Sequence, residues 1–324
     1  MRRIKEFGSL PIVIILLVSF FIIVFCQTDD KTRNKETRKH VSMIVYGDDS
    51  ERWENMREGA SLVCEDENAD LSLITMMSEN DTDEQEEIIE REIDDGADAL
   101  IIAACNSEEI GSYIKERKPK IPIVFVETTE SGNSGKGYIA PDDYNMGVKL
   151  GEEIAAGESD IVTVAIISVN TKRDSVALRE KGVRDALEGK VGKIIEWTGN
   201  ENDQKTSTRT FIQRALVSEA TDVIVTLDNT TTDALLDAFA NLNESRKVYS
   251  ISTSNQAVYN LYNKQITALE YPDEFSMGYL AAVNVLDKND TGKKYSDKQI
   301  EYRIVRKENM YDKDNQTLLF PFVN

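Results

Sequence analysis

From residue 40 onward, short apolar runs alternate with longer stretches in which apolar residues recur every three or four positions. The short runs are VSMIVY (41–46), LSLITMM (71–77), ADALIIA (97–103), IPIVFVE (121–127), IVTVAIIS (161–168), KIIEW (193–197), DVIVTL (222–227), KVYSIS (247–252) and ITALEY (266–271). Several are continuous rather than alternating, the pattern of parallel strands buried on both faces. Between them the spacing predicts helices. In Glu51–Cys64 the apolar positions Trp53, Met56, Ala60 and Val63 share a helical face. Asp81-Thr82-Asp83-Glu84 reads as a capping box, and Gly96 as the stop after EQEEIIEREIDDG. Strands alternating with helices predict an α/β architecture of doubly wound parallel sheets.

The pattern repeats within the chain. EREIDDGADALIIAACNSEEIGSYI (90–114) and QRALVSEATDVIVTLDNTTTDALLDAF (213–239) each read helix, acidic turn, buried strand, polar tip, helix. They are expected to be equivalent units of two similar lobes, with a boundary near YIAPDDYNMGVKLGEEI (138–154). In open α/β sheets, ligands bind outside the carboxyl ends of the strands. Two such lobes facing each other form a cleft that closes by hinge motion. The polar residues just after each strand are therefore the site candidates.

The first forty residues differ. Basic Met1-Arg2-Arg3-Ile4-Lys5 precedes the uncharged run GSLPIVIILLVSFFIIVFC, 8–26. At about 19 residues this run is long enough to cross roughly 30 Å of hydrocarbon. It exceeds the ~7–15-residue apolar core of a secretory signal. No small-x-small site follows it, and Phe25 precedes Cys26 where a lipoprotein site needs a small residue. The expectation is a transmembrane anchor or uncleaved signal over 1–27 and a polar stalk over 28–40. The protein would then be single-pass in the cell membrane, with an extracytoplasmic binding domain. Residues 1–40 carry a net +4 of the overall −20, leaving −24 for the remainder. Such a surface repels phosphate backbones and excludes nucleic acid as a partner. Of the three cysteines, Cys26 closes the apolar run, whereas Cys64 and Cys105 sit in apolar settings that favour buried free thiols over a bridge.

Catalytic patterns are missing. His40 is the single histidine and lies in the stalk, which argues against a Ser-His-Asp triad or a histidine zinc site. Neither G-x-G-x-x-G nor G-x-x-x-x-G-K-[ST] follows a strand. No enzyme, cofactor or metal is expected, a glycosidase built on paired carboxylates being the remote alternative. The strand ends carry Ser50, Arg52 and Trp53; Asn106; Glu127 and Thr128; Asp228 and Asn229; Ser252 and Thr253; and Glu270. Arg179 lies on the helix after IVTVAIIS. Carboxylates and arginines bind vicinal hydroxyls and an indole covers an apolar C–H face, so the set suits a polyhydroxylated ring. Each residue also has a structural reading: helix caps for Asp228 and Ser252, a surface ion pair for Arg179, core packing for Trp53.

The segments VSMIVYGDDSERWENMREGA, DGADALII, IPIVFVETT, YIAPDDYNMGVKLGEEI, ALREKGVRDAL, TDVIVTLDN and ITALEYPDEFSMGYLAA, with the tail IEYRIVRKENMY, span about 41–310. In their order and spacing they resemble the periplasmic ribose/galactose-type sugar-binding proteins, whose type I fold is shared with LacI-family repressor cores. With the apolar N-terminal run, the resemblance is to a membrane-anchored member. It implies two doubly wound lobes around a cleft: 41–140 plus about 271–298, and 141–270 plus about 299–324 with the closing tail. It also implies a site at Ser50, Arg52, Trp53, Glu127, Thr128, Arg179, Asp228, Ser252 and Glu270. Arg179 matches the family's ligand arginine. Arg52 replaces an aromatic, Glu127-Thr128 an Asp-Arg pair, Asp228 an asparagine, Ser252 an aspartate, and Glu270 a hinge glutamine. The implied function is extracytoplasmic capture of a sugar-like small molecule by hinge closure. The partner is either the permease of an ABC importer or a membrane histidine kinase for which the chain is the sensing subunit. The repressor branch needs a DNA-binding helix-turn-helix, and the N-terminus offers an apolar span instead. Trp53 is expected to be the stacking platform. The acids Glu127, Asp228 and Glu270 favour a neutral or cationic ligand, such as an amino sugar, over a sugar acid.

Overall fold

The computed structural model describes residues 38–47, 51–128, 137–199, 207–242, 246–286 and 300–320. Eleven strands among them form two sheets. The first contains β1 (Lys39–Val45), β2 (Ala69–Thr75), β3 (Ala99–Ile102), β4 (Ile123–Val126) and β5 (Gly137–Ile139), in the order β2-β1-β3-β4-β5. The second contains β6 (Thr163–Ser168), β7 (Lys193–Thr198), β8 (Val223–Thr226), β9 (Lys247–Ile251), β10 (Ala268–Pro272) and β11 (Tyr302–Val305), in the order β11-β10-β9-β8-β6-β7. Both start a strand beside their centre, add the next on one side and wind outward on the other. The repeat read at 90–114 and 213–239 thus places β3 and β8 at equivalent positions. The β1–β3 and β6–β8 ladders are parallel, with Val41 opposite Ala99 and Val164 opposite Val223. Strands β3, β4 and β8 are buried at every position, which is why their sequences are unbroken apolar runs.

Ten helices follow the strands among the described residues: α1 (Glu54–Asp66), α2 (Thr82–Asp94), α3 (Ser107–Arg117), α4 (Asp143–Gly157), α5 (Asp174–Leu187), α6 (Thr208–Ser218), α7 (Asn229–Leu242), α8 (Asn255–Tyr262), α9 (Glu274–Leu286) and α10 (Lys313–Leu319). Their termini follow the sequence signals. Asp81 accepts the backbone N–H of Glu84 at 3.1 Å to open α2. Gly96 turns the chain at φ +93° just past its end, a conformation that glycine adopts without a Cβ penalty. Cys64 and Cys105 are buried and unbridged, and burial raises both thiols to about 11.

The chain passes between the sheets three times: after β5, after β10, and between α9 and β11. On the second passage α9 returns to the first lobe, where Met277, Ala281, Ala282 and Val285 join the core of β1, β3 and β4. Each lobe carries one close helix crossing. A Cβ on Gly59 of α1 would collide with the Phe275 carbonyl, and one on Gly278 of α9 with the Met56 carbonyl. In the second lobe, Gly147 of α4 and Gly182 of α5 stand in the same relation to the carbonyls of Arg179 and Tyr144.

The expected N-terminal transmembrane helix requires correction. No helix among the described residues is long and apolar enough to cross a membrane. The longest of those above, α4, has 15 residues, about 22 Å at ~1.5 Å per residue against the ~30 Å of a hydrocarbon core. The run at 8–26 and most of the stalk expected over 28–40 lie outside the described residues, while Lys39 and His40 at its end open β1 instead. The architecture of the described residues is the bilobed α/β one.

Candidate functional site

The carboxyl end of β1 delivers Tyr46 and then a 3-10 turn, Glu51–Trp53, that carries two candidates inward. Trp53 is fully buried and donates Nε1–H to the Tyr46 carbonyl at 3.2 Å. Its ring meets that of Tyr46 edge-on, with centroids 5.0 Å apart. The Arg52 guanidinium lies 3.8 Å above the indole and donates Nη2–H to the Tyr46 hydroxyl at 3.0 Å. That hydroxyl in turn donates to Glu127 Oε2 at 2.8 Å. Glu127 follows β4 with φ at +65°, a left-handed conformation that costs an L-residue of this kind about 1–2 kcal/mol. Its Oε1 lies between Arg52 at 3.7 Å and Arg179 at 3.8 Å.

The second lobe supplies a matching polar set. Arg179 is buried on α5, donating Nε–H to Asp143 at 2.7 Å and Nη1–H to the Leu227 carbonyl at 3.0 Å. Burial lifts the Asp143 carboxyl to about 7, with Arg179 opposing. Asp228 follows β8 and does two jobs. It accepts the Thr231 backbone N–H at 2.8 Å as the cap of α7, and it accepts Arg173 Nη2–H at 2.9 Å and Asn170 Nδ2–H at 2.8 Å. Burial works to raise Asp228, but the Arg173 charge and these hydrogen bonds outweigh it and hold the carboxyl below its ordinary range. Ser252 donates to Asn229 Oδ1 at 2.9 Å, while the cap of α8 is Ser254 instead. Thr253 donates to Glu274 Oε1 at 2.7 Å, and burial raises Glu274 to about 7. Glu270, in the strand before the second passage, is fully buried with neither carboxyl oxygen hydrogen-bonded to protein. Burial pushes it well above the usual carboxylate range.

Direct contacts join the lobes at this site. Glu79 accepts hydrogen bonds from Arg173 at 3.0 Å and Thr230 at 2.6 Å, and Asn80 donates to Asn170 at 2.8 Å. Helix α5 has no side-chain cap of its own at Arg173. Its first amides are met from the other lobe: Asp174 N–H by Ser107 Oγ at 3.0 Å, and Ser175 N–H by Thr128 Oγ1 at 3.1 Å.

Of the sequence candidates, Ser50 lies outside the described residues. Arg52, Trp53, Glu127 and Arg179 come together in one cluster. Thr128 serves the contact between lobes, Asp228 joins through Arg173, and Ser252 joins through Asn229 and Thr253. Glu270 lies within the electrostatic reach of Arg179 and Asp143. Asn106 caps α3 by accepting the Glu109 N–H. Sequence reasoning missed Tyr46, Asp143, Asn170, Arg173 and Glu274. Arg173 and Asn170 were the findable ones, because NTKRDS directly follows β6 at its carboxyl end. Trp53 does not present an open face, since Arg52 covers it. Trp53→Ala is therefore expected to cost about 3–5 kcal/mol of folding stability through the cavity it leaves, measured by urea unfolding of the ligand-free protein.

A profile described as a periplasmic binding protein domain matches residues 41–294. No curated protein matches the sequence. Solved structures share the fold at low identity. A carbohydrate transporter solute-binding protein from Agrobacterium radiobacter, in complex with D-arabinose, aligns with a TM-score of 0.76 and 18% identity over 88% of this chain and 100% of that one. A glucose-galactose binding protein from Geobacillus stearothermophilus aligns with a TM-score of 0.73 and 19% identity over 85% and 100%. The Caulobacter myo-inositol binding protein, bound to myo-inositol, aligns with a TM-score of 0.72 and 15% identity over 87% and 98%. The expectation of a membrane-anchored, single-pass cell-membrane protein with the membrane as a partner is withdrawn. It required a spanning helix, and the described residues contain none of sufficient length and apolarity. Two wound lobes, a polar site at their strand ends and the profile over most of the chain agree: the chain belongs to the periplasmic binding protein domain family.

Proposed function

We propose that this protein captures a sugar-like solute on the extracytoplasmic side by closing its two lobes and hands it to the permease of an ABC importer. One observation carries the reading. Side chains from both lobes converge at the strand ends, and several of their buried polar atoms have no partner among the described residues: Arg52 Nε and Nη1, Arg173 Nε and Nη1, Asp143 Oδ2, Glu270 Oε1 and Oε2, and Glu274 Oε2. Buried polar groups are rarely left unpaired, because each costs about 1–3 kcal/mol. A ring bearing many hydroxyls supplies donors and acceptors to such a set. The relatives described as binding D-arabinose, glucose-galactose and myo-inositol support this solute class.

The test is a thermal-shift screen of the protein against neutral pentoses, hexoses and inositols, with amino acids as controls. A binding sugar at ~100 times its Kd stabilises by about 2.7 kcal/mol and raises the melting temperature. A panel in which no sugar shifts the transition, or in which only amino acids do, sinks the proposal.

A further inference from the structure

Three guanidiniums meet at this site, and two of them, Arg52 and Arg173, keep unpartnered nitrogens. Among the described residues Arg52 has one carboxylate within ion-pair distance, Glu127 at 3.7 Å, which it shares with Arg179. Arg173 is fully buried and balanced by Asp228 at 2.9 Å and Glu79 at 3.0 Å. Both cations sit over the Tyr46 ring, at 5.0 Å and 4.2 Å from its centroid, and each destabilises the other's charge. Each keeps two buried nitrogens, Nε and Nη1, with no acceptor among the described residues. The acids that suggest a cationic ligand are otherwise engaged. Glu127 lies between two arginines, and Asp228 is held by Arg173. Burial raises both Glu270 and Glu274, the first well above the usual carboxylate range and the second to about 7.

We infer that the ligand is a sugar acid, a polyhydroxylated ring carrying a carboxylate that accepts hydrogen bonds from Arg52 and Arg173. This rests on the sugar-binding reading above and narrows it. Arginine fits the role because its planar donor set pairs with carboxylates through charge-assisted hydrogen bonds. A neutral hydroxyl also accepts a hydrogen bond, but it leaves Arg52 sharing the Glu127 charge with Arg179. The unpartnered oxygens of Asp143, Glu270 and Glu274 face the opposite need and are met by ring hydroxyls that donate. A cationic amino sugar adds a fourth positive charge beside Arg52, Arg173 and Arg179.

Calorimetry with two matched pairs tests this: D-galacturonate against D-galactose, and D-glucuronate against D-glucose. Each pair differs only in whether the terminal carbon is a carboxylate or a hydroxymethyl group. The expected result is that in at least one pair the acid binds ~10- to 100-fold more tightly than its neutral partner, the worth of a hydrogen bond to a charged group. Arg52→Met is expected to bring that ratio close to one, and Arg52→Lys to keep part of it. The ratio is the readout, so a general loss of fold or affinity does not imitate the effect. Equal or tighter binding of the neutral sugar in both pairs overturns the inference and leaves sugar binding standing, as does tighter binding of D-galactosamine than of either acid. An acid preference that survives Arg52→Met unchanged overturns the assigned role of Arg52. Absence of binding by all of these together with the neutral panel overturns the sugar-binding reading and the inference with it.

Discussion

Gly278→Ala is expected to destabilise the protein by more than about 3 kcal/mol, and Gly278→Val to leave no folded protein in solution. A Cβ at this position runs into the Met56 carbonyl and crowds the Ala60 amide, both backbone atoms of α1. Overpacking a core typically costs about 1–3 kcal/mol when side chains can yield. Backbone cannot yield without moving the whole helix, so the expected cost lies beyond that range. The two helices that would separate hold the outer face of the first lobe, with Met56, Ala60, Met277 and Ala281 all in its core. Gly147→Ala makes the equivalent test in the second lobe. Gly137→Ala is the control: its Cβ would meet only ordinary contacts at 3.8–3.9 Å, and a change within about 1 kcal/mol is expected. Urea unfolding followed by circular dichroism measures all three.

Arg173→Ala is expected to cost about 3–5 kcal/mol at neutral pH, because it leaves the buried Asp228 carboxylate without its counter-ion. In the native protein Asp228 is held below its unfolded value. Its contribution is therefore present above the ordinary carboxylate range, about 4, and is lost as pH falls through the folded value. Without Arg173 the burial that opposes ionisation dominates, the folded value rises, and the sign reverses. The variant gains stability relative to the parent as pH falls from 7 toward 5. Asp228→Asn in the same background restores part of the loss at pH 7. A pH series of unfolding midpoints distinguishes this from simple loss of packing, which shows no such reversal. The variant also removes the Arg173 bond to Glu79 between the lobes, so ligand affinity is expected to fall with stability.

The nine apolar runs became nine strands, and the most legible were β3, β4 and β8, buried at every position and so unbroken in sequence. The helix crossings were not read from the sequence, although MREGA, NMGVK, REKGV and SMGYL, which lie in segments that carried the family resemblance, hold the glycines at which these backbones meet. The site was partly legible from the rule that strand ends face the cleft, which located Arg52, Glu127, Asp228 and Glu270. The rest depends on tertiary geometry. Whether Trp53 offers its face or lends it to Arg52 is decided by how a neighbouring guanidinium stacks. Glu274 reads as an ordinary helix start until α9 is seen returning to the first lobe, which buries its carboxyl beside Thr253. Arg173 satisfied the strand-end rule, but Arg179 on the same helix matched the family pattern and drew attention from it. An N-terminal apolar run says how far a helix could reach, and the described architecture contains no such helix.

The amides at the start of α5 give this molecule a built-in clock for its hinge. Asp174 and Ser175 N–H are shielded by hydroxyls that belong to the opposite lobe, so parting the lobes returns them to water. Their hydrogen-exchange rates then measure how often the hinge opens, while amides in β3 and β8 report only global unfolding. Under fast reclosing, the observed rate of each α5 amide divided by its intrinsic rate gives the population of the open form, with no label, no ligand and no substitution. Its response to a bound solute reads directly how far that solute shifts the balance toward closure.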